Sequence, residues 1–315
     1  MAESTRAVYG AIVANTAIAI TKFIAAGVTG SSAMLSEGIH STVDTGNGLL
    51  LLVGMHLSKR KATPKHPFGH GKELYFWSLI VAVLIFGVGG GVSAYEGVLH
   101  MLDPEPLRDA MWNYVVLGIA AVFEGGSFFV ALRQFMKGKG PATFWRALKV
   151  SKDPTTYTVL AEDSAALAGL AAVAAGIYAS HRLDLPVLDG AASVVIGILL
   201  AAVAVLLIRE VRGLLIGEGV SPETAAGIRE IVLRNPHVRE AAAPLSMYIG
   251  PEEVLLTLDV QFKADSRADE VADAVARDER EIRSRFPKIK RIYIEASALG
   301  AGDGRRRPFE DAPGS

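Results

Sequence analysis

The sequence predicts a mainly α-helical membrane protein, six transmembrane helices followed by a cytoplasmic α+β domain. Three observations predict it. Half of the 315 residues are hydrophobic, and long apolar runs dominate residues 1–216. Basic residues gather in alternate loops between those runs. Residues 217–299 then mix charges as a soluble domain does. The formal net charge of −1 hides this division and says nothing about partners. The chain has no cysteine, which excludes disulfides and thiolate metal sites.

A helix needs about 20 mostly apolar residues to cross a bilayer. Six segments meet that need: residues 8–29, 33–57, 74–99, 112–135, 155–180 and 186–208. Met1 to Arg6 is short and polar, with no small-residue cleavage site after the first apolar run, and reads as an ordinary start. The third and fifth spans are rich in small residues, among them Gly87, Gly89, Gly90, Gly91, Ala165, Ala166, Ala168 and Gly169, which let membrane helices approach closely. Lys59, Arg60, Lys61, Lys65 and Lys72 follow span two. Arg133, Lys137, Lys139, Arg146, Lys149 and Lys152 follow span four. The opposite side offers only Arg108 and Arg182. The positive-inside rule then places both termini in the cytoplasm, with the cell membrane as the location in a bacterium.

After Arg209 the pattern changes. Ser221 and Pro222 open a helix that Asn235-Pro236 ends. Arg239 to Ile249 and Val254 to Phe262 read as strands joined at Gly250-Pro251, the second alternating Leu256, Leu258, Val260 and Phe262 on one face. Ser266 opens a charged helix with Val271, Val275 and Ile282 at helical spacing, stopped by Pro287, and RIYIEAS is a third strand. The order αββαβ predicts a small ferredoxin-like α+β domain over 217–299. Residues 300–315, rich in Gly, Arg and Pro, read as a disordered tail.

The second span is the chemically unusual one, because it carries Glu37, His40, Asp44 and Asn47. Ionisable groups are expensive in hydrocarbon and face a bundle interior or a water-filled path. His40 and Asp44 are four apart and share a helix face, which makes half of a divalent-metal site suited to zinc. The other half is expected on span five, at Glu162 and Asp163, because Asp44 and Asp163 fall at similar depth when each span rises about 1.5 Å per residue. Adjacent residues point about 100° apart, so Glu162 and Asp163 cannot both aim squarely at one ion. Each assignment has a plainer alternative. His40 and Asp44 can be a hydrogen-bonded pair that locks helices, and Glu162 can hydrogen-bond a neighbouring span. Glu37 and Asn47 read as packing groups behind the ligands. Glu124 in span four is a packing or proton-path residue, and Asp189 is a helix-start or packing residue.

Six spans, HPFGHGK after span two and the αββαβ domain together resemble the cation diffusion facilitators, a resemblance that covers nearly the whole chain. It implies a homodimeric membrane antiporter that exchanges a divalent metal for protons, with no cofactor and no enzymatic activity. The implied cargo is Zn2+, with Mn2+, Fe2+, Co2+ and Cd2+ as alternatives. The family carries ligands four apart on spans two and five. His40 and Asp44 match the first pair and Asp163 the end of the second, but the remaining position holds Val159. The chain is similar to a branch with Glu-Asp on span five, in which Glu162 replaces the missing ligand. The resemblance also implies a secondary metal site at His66 and His70, where Thr63 stands in place of the upstream Asp; a loop fixed by Pro67 and Gly69 is the alternative. In the soluble domain, His237 is the one histidine, and Asp259 and Glu295 are isolated in sequence, so dimerisation without a metal cluster is expected.

Two rivals compete with transport. One is a non-transporting membrane-anchored metal sensor or scaffold of the same fold. The other is an intramembrane metalloenzyme, which would want a motif such as His-Glu-x-x-His that the chain lacks.

Overall fold

The computed structural model describes residues 2–104, 110–138 and 154–297. Arg108, the loop residues from Lys139 to Lys152 and the tail at 300–315 lie outside the described residues. The chain divides into two compact units, Met1–Gly217 with Ile249–Pro251, and Glu218–Tyr248 with Glu252–Ser315.

The first unit is helical. It contains α1 (Ala2–Thr29), α2 (Ser32–Ser58), α3 (Glu73–Leu84) and α4 (Ser93–Leu102), then α5 (Ala110–Gly138), α6 (Pro154–Leu183) and α7 (Val187–Ile216). The predicted third span is α3 and α4 joined through a π-helical segment, Ile85–Val92, so six long rods result. Among the described residues, Glu73–Leu102, Met111–Arg133, Tyr157–Leu183 and Val187–Ile216 are long and apolar enough to cross a membrane. The polarity of this unit is inverted relative to a soluble bundle. Phe86, Val122, Phe129 and Ile198 are exposed, whereas Lys22, Glu37, His40, Asn47 and Asp189 are buried.

The π segment and α4 press against α7 along a seam of glycines. A β-carbon on Gly97 would lie 2.6 Å from the Gly190 carbonyl oxygen, and one on Gly190 would lie 2.8 Å from that of Gly97. Seven residues away on each rod, one on Gly197 would lie 2.8 Å from the Gly90 carbonyl oxygen. Only glycine permits such backbone contact, and small residues are how membrane helices gain packing without a hydrophobic drive. At the start of α2, Ser31 caps the helix by accepting from the Met34 amide, and its hydroxyl donates to Asp189 in the first turn of α7. Ser32 and the Ala33 amide donate to the same carboxylate. Asp189 is therefore the packing and helix-start residue expected, and it fixes the entry of α2.

The second unit runs α8 (Pro222–Leu233), β1 (Val238–Ala241), β2 (Leu245–Gly250, whose last two residues are counted with the first unit), β3 (Glu253–Phe262), α9 (Ala268–Arg285) and β4 (Ile289–Ser297). Ser221 caps α8 as expected, accepting from the Thr224 amide. The strand predicted over Arg239 to Ile249 is two strands, separated at Ala242–Pro244, because a proline cannot donate into the ladder. Central β3 pairs with parallel β4 along most of its length, leaving its other edge to β1 and β2. Leu256, Leu258, Val260 and Phe262 are buried on one face as the alternation predicts. On α9 the buried stripe is Ala274, Asp278 and Ile282, so a carboxylate occupies a core position. Asn235 donates to Asp278 at 2.9 Å and to the Ala274 carbonyl, tying α8 to α9. Register also makes Asp259 and Glu295 neighbours on adjacent strands, which corrects their isolation in sequence.

Two stability predictions follow from this packing. Gly97→Ala will force the α4–α7 seam apart and cost about 1–3 kcal/mol, the usual scale of overpacking. Gly118→Ala, with open space around it, will leave thermal unfolding of the purified protein unchanged. In the second unit, burial raises the Asp278 carboxyl above the ordinary range, opposed by the Asn235 hydrogen bond. The folded state therefore binds the proton first, and stability contributed by this group falls as pH rises through its folded pKa. Asn235→Ala strands the carboxylate and will cost about 1–3 kcal/mol at neutral pH, less in acid, read by hydrogen exchange at α8 and α9 amides.

Candidate metal centre

Spacing on α2 sets the centre. Glu37, His40, Asp44 and Asn47 are separated by three, four and three residues, so all four project from one face. The His40 Nε2 and Asp44 Oδ2 atoms are 3.5 Å apart. His40 is 2% exposed, yet its Nε2 has no hydrogen-bond partner, and neither does the buried Asp44 Oδ1. Buried polar atoms are ordinarily satisfied, so two unsatisfied ligand-type atoms side by side require an explanation. At 3.5 Å the pair is farther apart than an ordinary hydrogen bond. A ring nitrogen and a carboxylate oxygen are the donor types of a zinc half-site.

Span five meets α2 at the same level. Asn47 donates to Glu162 Oε1 at 2.8 Å, joining α2 to α6. Asp163, next in sequence, turns instead toward α5, where Ser127 donates to its Oδ2 at 3.0 Å. The helical offset thus sends the two carboxylates to different neighbours. Asp44, Glu162 and Asp163 remain close enough to bear on one another's charge. Among the described residues, no three His, Asp or Glu side chains converge on one point in metal-binding geometry. The structure holds an open pair on α2 and two carboxylates on α6, each engaged by a neighbour. Val159 on α6 is half-buried.

Lys22 on α1 is the group that sequence reasoning missed. It is fully buried, and its ammonium donates to Glu37 Oε2 at 2.8 Å, Ser41 Oγ at 2.9 Å and Glu124 Oε1 at 2.9 Å. One lysine thereby ties α1, α2 and α5 together. The signal was present: a lone lysine inside the apolar run IAITKFIAAG must find partners if it is to be buried. Glu37 packs its other oxygen against the bare backbone of Gly169 on α6, where a β-carbon would lie 2.6 Å from Oε1. Glu37 and Glu124 are held by an internal cation, and Asn47 orients Glu162.

In the loop after α2, the His66 and His70 rings lie 4.6 Å apart, tilted by 44°. Thr63 and His66 exchange backbone hydrogen bonds, and Gly69 takes a positive φ of 84°, so the loop is locally fixed. Asp189, besides capping α2, lies 3.9 Å from His100 Nε2 on α4.

The description "cation efflux transmembrane domain" matches residues 8–216. The chain is 34% identical over 244 residues to "Proton-coupled zinc antiporter SLC30A9, mitochondrial" of Xenopus laevis, covering 76% of this chain and 44% of that protein. It is 34% identical over 269 residues to "Metal tolerance protein C4" of Arabidopsis thaliana, covering 84% of this chain and 57% of that one. It is 26% identical over 310 residues to "Magnetosome protein MamM" of Magnetospirillum gryphiswaldense, covering 95% and 90%. The matched region is less than half the length of the antiporter relatives. With the family's transmembrane domain matched across all six rods, the chain is a multi-pass membrane protein that belongs to the cation efflux family of transporters.

Proposed function

We propose that the protein moves a divalent metal cation, zinc before the alternatives, across a membrane in exchange for protons. The observation that carries this reading is the pair of unsatisfied atoms, His40 Nε2 and Asp44 Oδ1, buried side by side on α2. Relatives named as a proton-coupled zinc antiporter and a metal tolerance protein support the same cargo class. His40, Asp44 and Asp163 are the ligands in this reading, and Glu162 completes the set. Glu162 already sits against α2 through Asn47, so a small rotation of its carboxylate exchanges that bond for the ion. Metal binding needs neutral imidazole and ionised carboxylates, so protons and metal compete for the same atoms. Protonation on the outer side releases the ion, and deprotonation on the cytoplasmic side readies the centre. Rocking of one helix group against another around a midplane site supplies alternating access.

The finer assignments belong to the same proposal. Both termini face the cytoplasm, from the basic loops after spans two and four. The soluble unit pairs two copies without a metal cluster. His66 and His70 supply at most a weak secondary site of two imidazoles, since no third ligand converges on them among the described residues.

Two measurements test the centre. In proteoliposomes under an imposed pH gradient, His40→Ala and Asp44→Ala will each lower Zn2+ flux by more than about 100-fold, beyond the 10–100-fold scale of outer-shell changes. Native flux in both variants would remove the centre from α2. Glu162→Gln still accepts from Asn47, so packing survives while the charge is lost. Zn2+ flux in this variant will fall roughly tenfold or more, and Val159→His will shift the flux ratio from Mn2+ toward Zn2+. If Glu162→Gln transports like the native protein, Glu162 is a packing residue.

A further inference from the structure

The Lys22 ammonium has the surroundings of a bound cation rather than those of a surface lysine. Three oxygens surround Nζ within 2.9 Å, two from carboxylates and one from a hydroxyl, contributed by α2 and α5. Neither Lys22 nor Glu37 has any exposed surface, and the Glu124 side chain has 9%. Two carboxylates face one ammonium, so the cluster is filled but keeps one surplus negative charge. Each glutamate also retains a buried oxygen with no hydrogen-bond partner, Glu37 Oε1 and Glu124 Oε2. Carboxylate and hydroxyl oxygens form the donor set preferred by harder divalent cations such as Mn2+. Ser41 is next in sequence to His40, so this cluster adjoins the open pair on α2.

We infer that Lys22 is a tethered cation filling a second, oxygen-rich cation site beside His40 and Asp44, which without the lysine would take a free divalent ion. Filling that site from within the chain keeps Glu37 and Glu124 out of the cargo's coordination sphere and leaves the cargo to the nitrogen-containing pair. Lys22 is in this sense a residue that sets metal selectivity. The selectivity consequence rests on the transport reading of His40 and Asp44. The existence of the site does not.

The test is equilibrium dialysis of the full-length protein in nanodiscs against Mn2+ and against Zn2+. Lys22→Ala will bind one further divalent ion per protomer than the native protein, with Mn2+ gaining more than Zn2+. The gain will persist in a His40→Ala/Asp44→Ala background and vanish when Glu37→Gln and Glu124→Gln are added. Equal stoichiometry in the native and Lys22→Ala proteins overturns the site. Should Lys22→Ala not fold, Lys22→Ala/Glu124→Gln has the same net charge as the native cluster and keeps Glu37 and Ser41 around the vacated space; failure to gain an ion there overturns the site equally. In proteoliposomes, the Mn2+-to-Zn2+ flux ratio of Lys22→Ala will rise about tenfold, and Lys22→Arg will restore the native ratio. An unchanged ratio despite the extra bound ion refutes the control of selectivity. Native flux in the His40→Ala/Asp44→Ala protein would refute the transport reading while leaving the dialysis result standing.

Discussion

A charge inside a bilayer-spanning bundle must bring its own solvation, and the Lys22 ammonium shows how this chain meets that demand. Removing one partner from a buried ion pair typically costs about 3–5 kcal/mol, because the survivor is left without compensation. Lys22 therefore does more than supply a counter-charge to Glu37 and Glu124. It makes the positions of α1, α2 and α5 interdependent, since no two of these helices can part without stranding a charge. The rest of the helical unit is arranged around that constraint. Glu37 needs space on its far side, and Gly169 on α6 provides it. The start of α2 needs an anchor, and Asp189 on α7 accepts three hydrogen bonds there.

The helical interior mixes paired and unpaired polar groups. Asp189 accepts from Ser31 across helices, and Thr29 donates to Asn113 Oδ1, while Asn113 Nδ2 stays without a partner. His40 Nε2 and Asp44 Oδ1 are left open in the same interior. Glu37 Oε1, Asn47 Oδ1 and Glu124 Oε2 are also without partners, so what distinguishes the pair is its chemistry, a ring nitrogen one helical turn from a carboxylate oxygen. Asn47 and Ser127 each hold one carboxylate of α6 by a hydrogen bond from a neutral donor.

Much of this was legible in the sequence, and the boundary of what was legible has physical causes. Apolar run length marks spans wherever the chain must satisfy its own backbone in lipid, and among the described residues it marks the rod from α3 to α4, α5, α6 and α7, whereas α1 and α2 are rods that this measure does not mark. The face shared by His40 and Asp44 follows from helical periodicity alone. Partner choice across helices does not, since it depends on rotation and packing of each rod. Lys22 was overlooked among apolar neighbours, and Glu124 looked isolated because its partner lies on a helix 102 residues earlier in the chain. The sequence allows Glu162 both a ligand and a packing role, and the bond from Asn47 is a packing contact. The neighbouring Asp259 and Glu295 depend on strand register, which alternation alone does not set, and the core position of Asp278 depends on how α9 is rotated against its neighbours.

The distribution of contacts also bears on how such a unit can move. Charge and hydrogen bonds tie α1, α2 and α5, with α6 joined to α2 and α5 by Asn47 and Ser127. The π segment, α4 and α7 meet instead through close glycine backbone contacts, with Ala94, Met101, Ser193 and Leu200 packed around them. A smooth seam resists separation, since any added atom collides, but offers little resistance to sliding along its length. A π-helical stretch carries one hydrogen bond in a wider turn and often marks a functional adjustment in a helix. Here it lies within the seam and contains Gly87, Gly89, Gly90 and Gly91. The polar cluster thus holds one group of helices rigid around the candidate centre. A polar contact crosses the glycine seam as well, His100 on α4 lying 3.9 Å from Asp189 on α7.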